Sequence, residues 1–383
     1  MRFETVSLGD VCCISSSKRI FAREYQENGI PFYRGKEIIE KHNGNDVSSE
    51  LYISEQRYDE IKTKYDVPKV SDILLTSVGT LGIAWLVNED KFYFKDGNLT
   101  WLRSSPKINP YFLYWWLNSP EAKYQIDAKC IGSTQKALTI DALNKFQISL
   151  PSLDNQMKIG NVLQQFQNKI AINTAINKNL ADMLQAVYQK MFSSEPQNML
   201  AEICSYSRDR VSVNELTIDD YYTTENMLPQ KAGATTATNL PTTSQVIKCH
   251  VGDVLISNIR PYFKKILYCY RDCGCSNDVL CFTPKYQNMT AFLYTTLYED
   301  HFFDFMVLGA KGTKMPRGDK QQIMTYPIVL PSEKELDSFN SIAFPLLQDI
   351  YNNTSENAHL SSVRDALLPR LMSGEIDVSA IEI

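Results

Sequence analysis

Residues 112–117 read FLYWWL, and residues 292–297 read FLYTTL, 180 positions later. The match does not stand alone. DILLTS at 72–77 returns as DVLISN at 253–258, an offset of 181. GST at 132–134 returns as GTK at 312–314, and SLP at 149–151 with Ser152 returns as VLP at 329–331 with Ser332. AVYQKMFSS at 186–194 returns as ALLPRLMSG at 366–374. Five matches in one order at nearly one offset make the chain two copies of one unit. A length of 383 residues accommodates two such units.

Each copy ends in a helical stretch. In 153–192, apolar residues recur at steps of three and four, and in 333–371 the same pattern follows. Stretches of close to 39 residues, about 58 Å at 1.5 Å per residue, are long for globular helices and predict a coiled coil. Its predicted core is Ile159, Val162, Phe166, Asn173 and Leu180 in the first helix and Phe339, Ile342, Leu346, Asn353 and Leu360 in the second. Ser332 and Glu335 form a capping box, Gly374 is the stop, and Pro345 should kink the second helix or delay its start. Asn173 and Asn353 correspond in the repeat. In an antiparallel pair they should meet at the centre, where a polar pair fixes register.

The segments before the helices are rich in Tyr, Phe, Val, Ile and Thr, with short apolar runs that predict strands. NPYFLYWWLNS at 109–119 predicts a short buried helix opened by Pro110. The fold class is therefore α+β: two globular domains joined by two long antiparallel coiled-coil helices, with an internal two-fold repeat. The boundaries are 1–151 for the first domain, 152–195 for the central helix, 196–331 for the second domain, 332–375 for the C-terminal helix and 376–383 for a tail.

Hydrophobic residues make up 44% and charged residues 22%, a globular composition. No apolar run reaches the roughly 20 residues that cross a bilayer, and MRFETVSLGDVCC has no signal-peptide pattern, so a cytoplasmic location without membrane contact is expected. Nine cysteines, an odd number, read as reduced thiols. The C-x3-C-x-C-x5-C run at 269–281 lacks the paired knuckles of a zinc site and reads as small buried apolar residues, so no metal is expected. No Walker A pattern, methyltransferase signature or histidine-centred triad is present, which argues for a recognition protein without catalytic residues. The net charge is −5, with residues 1–195 near neutrality (23 basic, 22 acidic) and 196–383 more acidic (16 basic, 22 acidic). Any nucleic acid would have to be bound through local patches, or together with a partner that supplies positive field.

The order of motifs resembles type I restriction–modification specificity subunits. The family's repeat start is similar to LGD at 8–10 and, more loosely, LAE at 200–202. Its Gly-Ser/Thr loop running into a segment that ends I-x-L-P is similar to GSTQKALTIDALNKFQISLPS at 132–152 and GTKMPRGDKQQIMTYPIVLPS at 312–332. LLPRLMSGEI at 367–376 looks like its closing motif. The resemblance implies two target recognition domains, each reading one half of a bipartite double-stranded DNA site. It implies helices that set the unread spacer and dock two methyltransferase subunits, with restriction subunits joining through the complex. S-adenosylmethionine, ATP and magnesium would then belong to those partners, and this chain would carry no cofactor.

Base edges are read by Arg on guanine and by Asn or Gln on adenine, while Lys, Arg and hydroxyl side chains position phosphates. The DNA-binding candidates in the first domain are Lys18, Arg19, Arg34, Lys36, Thr76, Ser77, Ser133, Thr134, Gln135 and Lys136. In the second they are Arg208, Arg210, Arg260, Lys264, Lys265, Lys311, Thr313, Lys314 and Arg317. Each has a plainer reading as solvated surface or, for the hydroxyls, as a strand-end cap. Rival functions are a specificity subunit of a methylation-only or phage-defence system, a coiled-coil scaffold that binds no DNA, and a fused enzyme.

Overall fold

The structure, a computed structural model, describes residues 1–44, 47, 49–88, 91–132 and 136–380. The chain folds as two compact units. Unit one comprises Met1–Ile172 and the residues from Glu356 onward, and unit two comprises Asn173–Ser355.

Unit one is built on an antiparallel four-stranded sheet with the order Cys13–Ser15, Leu99–Arg103, Ile73–Thr76, Ala84–Leu86. Unit two repeats it as Cys204–Tyr206, Val279–Pro284, Val254–Ser257, Ile266–Tyr268. The register is the same: Leu74 opposes Trp101 where Leu255 opposes Cys281. The inner strands ILLT and VLIS are buried throughout, which explains why they read as continuous apolar runs rather than alternating ones. An aspartate opens each. Asp72 Oδ2 accepts from the backbone of Lys69 and from Trp101 Nε1, both at 2.9 Å. Asp253 Oδ2 accepts from the backbone of His250 at 2.8 Å and from the Cys281 thiol at 3.2 Å. Burial raises the Asp253 carboxyl above its ordinary value. One buried carboxylate thus ties the same turn to the same neighbouring strand in both units.

The units diverge beside this sheet. Unit one adds strands Tyr52–Ile53, Ile30–Tyr33 and Tyr93–Phe94 with helices Gly35–His42 and Glu55–Tyr65. Unit two adds strands Arg210–Ser212, Gln245–Cys249, Cys273–Cys275 and Tyr221–Tyr222. Here Cys249, Cys269, Cys273, Cys275 and Cys281 pack as free thiols around Met227, Leu255 and Val279. No group of three or more possible ligands among the described residues is placed to hold a metal. No helix among the described residues is long and apolar enough to cross a membrane.

The two long helices span Leu153–Met191 and Glu333–Met372. Ser332 Oγ accepts from the Glu335 backbone at 3.3 Å, and the Glu335 carboxylate accepts from the Ser332 backbone at 2.9 Å, closing the capping box. Gly374 ends the helix at φ 77°, the left-handed conformation glycine adopts freely. Pro345 does not delay the helix start. The carbonyl that loses its donor belongs to Ser341, an exposed residue, and the helix runs through.

Each unit packs one half of each helix against its own domain. In unit one, Ile159, Leu163, Leu368, Leu371 and Met372 join Phe112, Leu113 and Trp116 of helix Pro110–Asn118. That helix is opened by Pro110 and capped by Asn109, whose Oδ1 accepts from the Phe112 backbone at 3.1 Å. In unit two, Leu184, Tyr188, Phe192, Leu336, Phe339, Ala343 and Leu347 join Phe292 of helix Thr290–Tyr298. The helix faces therefore differ from a plain heptad seam. Ile159, Phe339 and Asn173 are buried, and Val162, Phe166, Leu180, Leu346, Asn353 and Leu360 are half-buried. Ile342, expected in the core, is 43% exposed, and its neighbour Ala343 takes the buried place. A helix end that serves a globular domain as well as a second helix turns a different stripe inward.

Polar side chains join the two helices near their middles. Asn353 bonds to Asn177, one turn beyond Asn173. Asn177 Nδ2 donates to the Ile350 carbonyl at 3.3 Å in unit two, and its repeat equivalent Asn357 donates to the Ile170 carbonyl at 3.4 Å in unit one. In unit one Arg364 further reaches Gln167 at 2.6 Å.

Candidate nucleic-acid interface

The Gly-Ser/Thr loops are held by one backbone frame in both units. Ser77 N–H donates to the Asn98 carbonyl at 2.9 Å, and Asn258 N–H donates to the Asp278 carbonyl at 2.8 Å. Leu138 N–H reaches the Ser77 carbonyl at 2.9 Å, as Gly318 N–H reaches the Asn258 carbonyl at 3.2 Å. Gly79 N–H reaches the Lys136 carbonyl at 3.2 Å, as Arg260 N–H reaches the Pro316 carbonyl at 2.8 Å. Ile131 and Ala137 exchange both backbone bonds at the neck of the first loop, and Lys311 and Arg317 do so at the neck of the second. The frame works because a strand end, a following turn and the loop neck each supply otherwise unpaired backbone groups.

Two of the expected DNA-binding residues are buried within this frame. Thr76 and Ser77 are buried, and Thr76 Oγ1 accepts from the Ile83 backbone at 2.9 Å. The Thr76 hydroxyl serves the hairpin, and the Ser77 backbone serves the loop neck. Ser257 is likewise buried and donates its hydroxyl to the Ile259 carbonyl at 3.2 Å. Ser133, Thr134 and Gln135 lie outside the described residues, and the adjoining Lys136 is exposed.

In the second loop Thr313, Lys314 and Met315 are exposed at the tip. Lys311 pairs with Asp319 at 2.6 Å, a contact that holds the Asp319 carboxyl below its ordinary value. Arg317 pairs with Asp278 at 3.0 Å. Arg260 lends Nη2 to the Lys314 carbonyl at 3.4 Å. Arg260 also begins a strained stretch. Arg260, Lys264, Gln230 and Lys231 all have φ between 51° and 62°, and Gln230 and Lys231 donate backbone bonds to the carbonyls of Phe263 and Lys264. Non-glycine residues held there cost about 1–3 kcal/mol each and persist where the surroundings over-determine them. Lys231 and Lys264 share Asp300 at 2.7 and 3.0 Å, which keeps that carboxyl ionised below its usual range. Lys265 turns inward to the Thr224 carbonyl, and burial lowers its pKa.

No sequence motif marks the concavity next to these loops. A cleft of about 310 Å³ is lined by Tyr221, Thr223, Thr224, Asn239, Ser276 and Asp278, among others. Asp278, the partner of Arg317, sits on its wall. Arg208 and Arg210 are exposed and make no ion pair among the described residues, while Asp209 between them accepts from His250 at 2.9 Å.

The first domain's cations are differently placed. Arg34 pairs with Glu37 at 2.6 Å and Glu50 at 2.8 Å, and Lys36 pairs with Glu50 at 2.9 Å. The two cations pull the Glu50 carboxyl down to about 2, and Glu37 with Glu50 raises the Arg34 pKa. Arg19 is taken by Asp96 at 2.7 Å. These three offer DNA less free charge than their sequence suggests. Lys18 lies 4.9 Å above the Tyr65 ring, in a surface groove of about 850 Å³ that also holds Gln56, Arg57 and Lys64. Sequence reading missed these last residues, because they belong to a helix whose exposure no motif marks.

The chain is similar to known proteins. The family described as "Type I restriction modification DNA specificity domain" matches residues 2–182. A putative type I restriction enzyme specificity subunit of Haemophilus influenzae is 31% identical over 167 residues, 43% of this chain and 40% of that protein. The EcoBI specificity subunit of Escherichia coli is 28% identical over 174 residues, 42% of this chain and 35% of that one. The chain thus spans well under half the length of these relatives. A crystal structure of the type I S subunit from M. genitalium matches 97% of this chain and 96% of its own, with 15% identity and a TM-score of 0.61, which establishes the common fold. Over residues 2–182 the chain is thus similar to type I restriction–modification DNA specificity domains, and it shares the fold of a type I S subunit.

Proposed function

We propose that this chain is the non-catalytic DNA-recognition subunit of a type I restriction–modification complex. One observation carries the reading: a single backbone frame is built twice and presents different side chains each time. That arrangement suits two domains that read different half-sites. The second domain would use Arg260, Lys311, Thr313, Lys314 and Arg317, with the cleft at Tyr221 and Ser276 beside them. The first would use Lys18 and Lys136 with the groove at Arg57 and Lys64. The length of the two helices would set the unread spacer.

The partners would be two methyltransferase subunits, and restriction subunits would join through the complex. Methylation and DNA cleavage, with S-adenosylmethionine, ATP and magnesium, would belong to them. The net charge of −5 supports dependence on a partner, since counterion release by this chain alone is small.

The test is to co-express the chain with methyltransferase subunits and sequence the modified bases of the host DNA. A bipartite methylated motif that disappears without this chain is the expected result. Methylation that does not depend on the chain would overturn it. Adding or omitting the restriction subunit separates this reading from a methylation-only system.

A further inference from the structure

We propose that Arg317, held by Asp278, reads a guanine in the second half-site. The inference rests on the recognition role just described and assigns it one side chain and one base. Arg317 stands where the loop leaves its neck. Its N–H and carbonyl both bond to Lys311 at 2.9 Å, and it bridges to Ile259 on the strand side. Asp278 is anchored to the same support, because Asn258 donates to its carbonyl while accepting from Gly318, the residue after Arg317. Both partners therefore stand on one rigid strand end, which is the condition for a base contact of fixed geometry.

The charge pattern fits the assignment. The Arg317 side chain is 58% exposed, and its one side-chain bond among the described residues, from Nη2 to Asp278 at 3.0 Å, uses one of five guanidinium donors. A carboxylate on one edge orients the plane and leaves the opposite edge to span guanine O6 and N7, the commonest specific contact of arginine. The equivalent positions in the first unit carry Ala137 and Asn98 in the same backbone bonds. The frame needs neither charge, so the Arg–Asp pair is an addition made in one domain only. Asp278 is a positioning residue. It touches the reader and not the base.

The experiment selects randomised double-stranded DNA with the full chain assembled with methyltransferase subunits, comparing wild type with Arg317→Ala, Arg317→Lys and Asp278→Asn. Wild type should require a G·C pair at one position of one half-site. Arg317→Ala should lose that preference by roughly 5- to 100-fold, with the other half-site unchanged. Arg317→Lys keeps the charge without the fork and should lose it too, which separates base reading from phosphate attraction. Asp278→Asn should weaken preference at the same pair while sequence-independent binding does not fall, since the substitution removes a negative charge beside Arg317. A half-site without a G·C pair, or an Arg317→Ala variant that weakens all sequences equally, would overturn the assignment and leave the recognition role standing. Selection of no sequence by wild type would overturn both.

Discussion

Asn353 donates its side-chain amide to Asn177 Oδ1 at 2.9 Å, joining the two long helices within the second unit. Asn177 passes its own amide to the Ile350 carbonyl and to Thr354 Oγ1, at 3.3 and 3.2 Å. A half-buried polar pair of this kind contributes little net stability but holds one register, because sliding either helix leaves both amides without partners. Asn353→Ala should lower stability by about 1 kcal/mol. Replacing Asn177 and Asn353 together by Leu should recover that loss and loosen the register. Denaturant melts with spacer mapping of methylated sites check this: a double variant with wild-type stability and more than one spacer length is the expected outcome.

The aromatic cluster at the other end of the same helix pair should matter far more. Phe339 is fully buried, with ring centroids of Tyr188, Phe192 and Phe292 at 6.2, 5.5 and 6.5 Å. Phe339→Ala should cost about 3–5 kcal/mol. Ile342→Ala, on the exposed face, should stay within about 0.5 kcal/mol of wild type. Similar midpoints for the two variants in urea would contradict this packing.

Within the basic loop, Lys314 makes no ion pair among the described residues, whereas Lys311 is engaged by Asp319 at 2.6 Å. Lys314→Ala should therefore flatten the salt dependence of DNA binding by close to one counterion, a slope change of about 0.9, and Lys311→Ala by less. Binding isotherms of the assembled complex between 50 and 200 mM salt, on the order used to resolve such slopes, measure it. Equal slopes for both variants would count against the ordering.

Glu50 neutralises Arg34 and Lys36 at 2.8 and 2.9 Å, so Glu50→Gln should release two cations. Sequence-independent DNA affinity should rise and its salt dependence should steepen. The pH behaviour follows from the depressed carboxyl, which titrates at about 2. A folded pKa below the unfolded one means the ion pairs support the fold fully above the ordinary glutamate range, and the support is lost as pH falls through that range toward 2. Wild type and Glu50→Gln should converge in stability at the acid end and differ at neutral pH. Glu50 is fully exposed, so the difference will be small and screened by salt.

The repeat, the strands at 73–76 and 254–257, the helix at Pro110 and the capping box at Ser332 were legible in the amino-acid order. All of them depend on local periodicity, on chain punctuation or on a copy of themselves elsewhere in the chain. The tertiary structure decided what those signals leave open. It turned Ala343 rather than Ile342 inward, because the helix packs on a domain as well as on its partner. It bonded Asn353 to Asn177, one turn beyond Asn173, since heptad counting does not fix the axial register of two antiparallel helices. It buried Thr76 and Ser77, and it paired Arg34 with Glu50 and Arg317 with Asp278, 16 and 39 residues away. Whether a cation is free to meet a phosphate or a base depends on carboxylates brought near by folding, and their distance along the chain carries no trace of that.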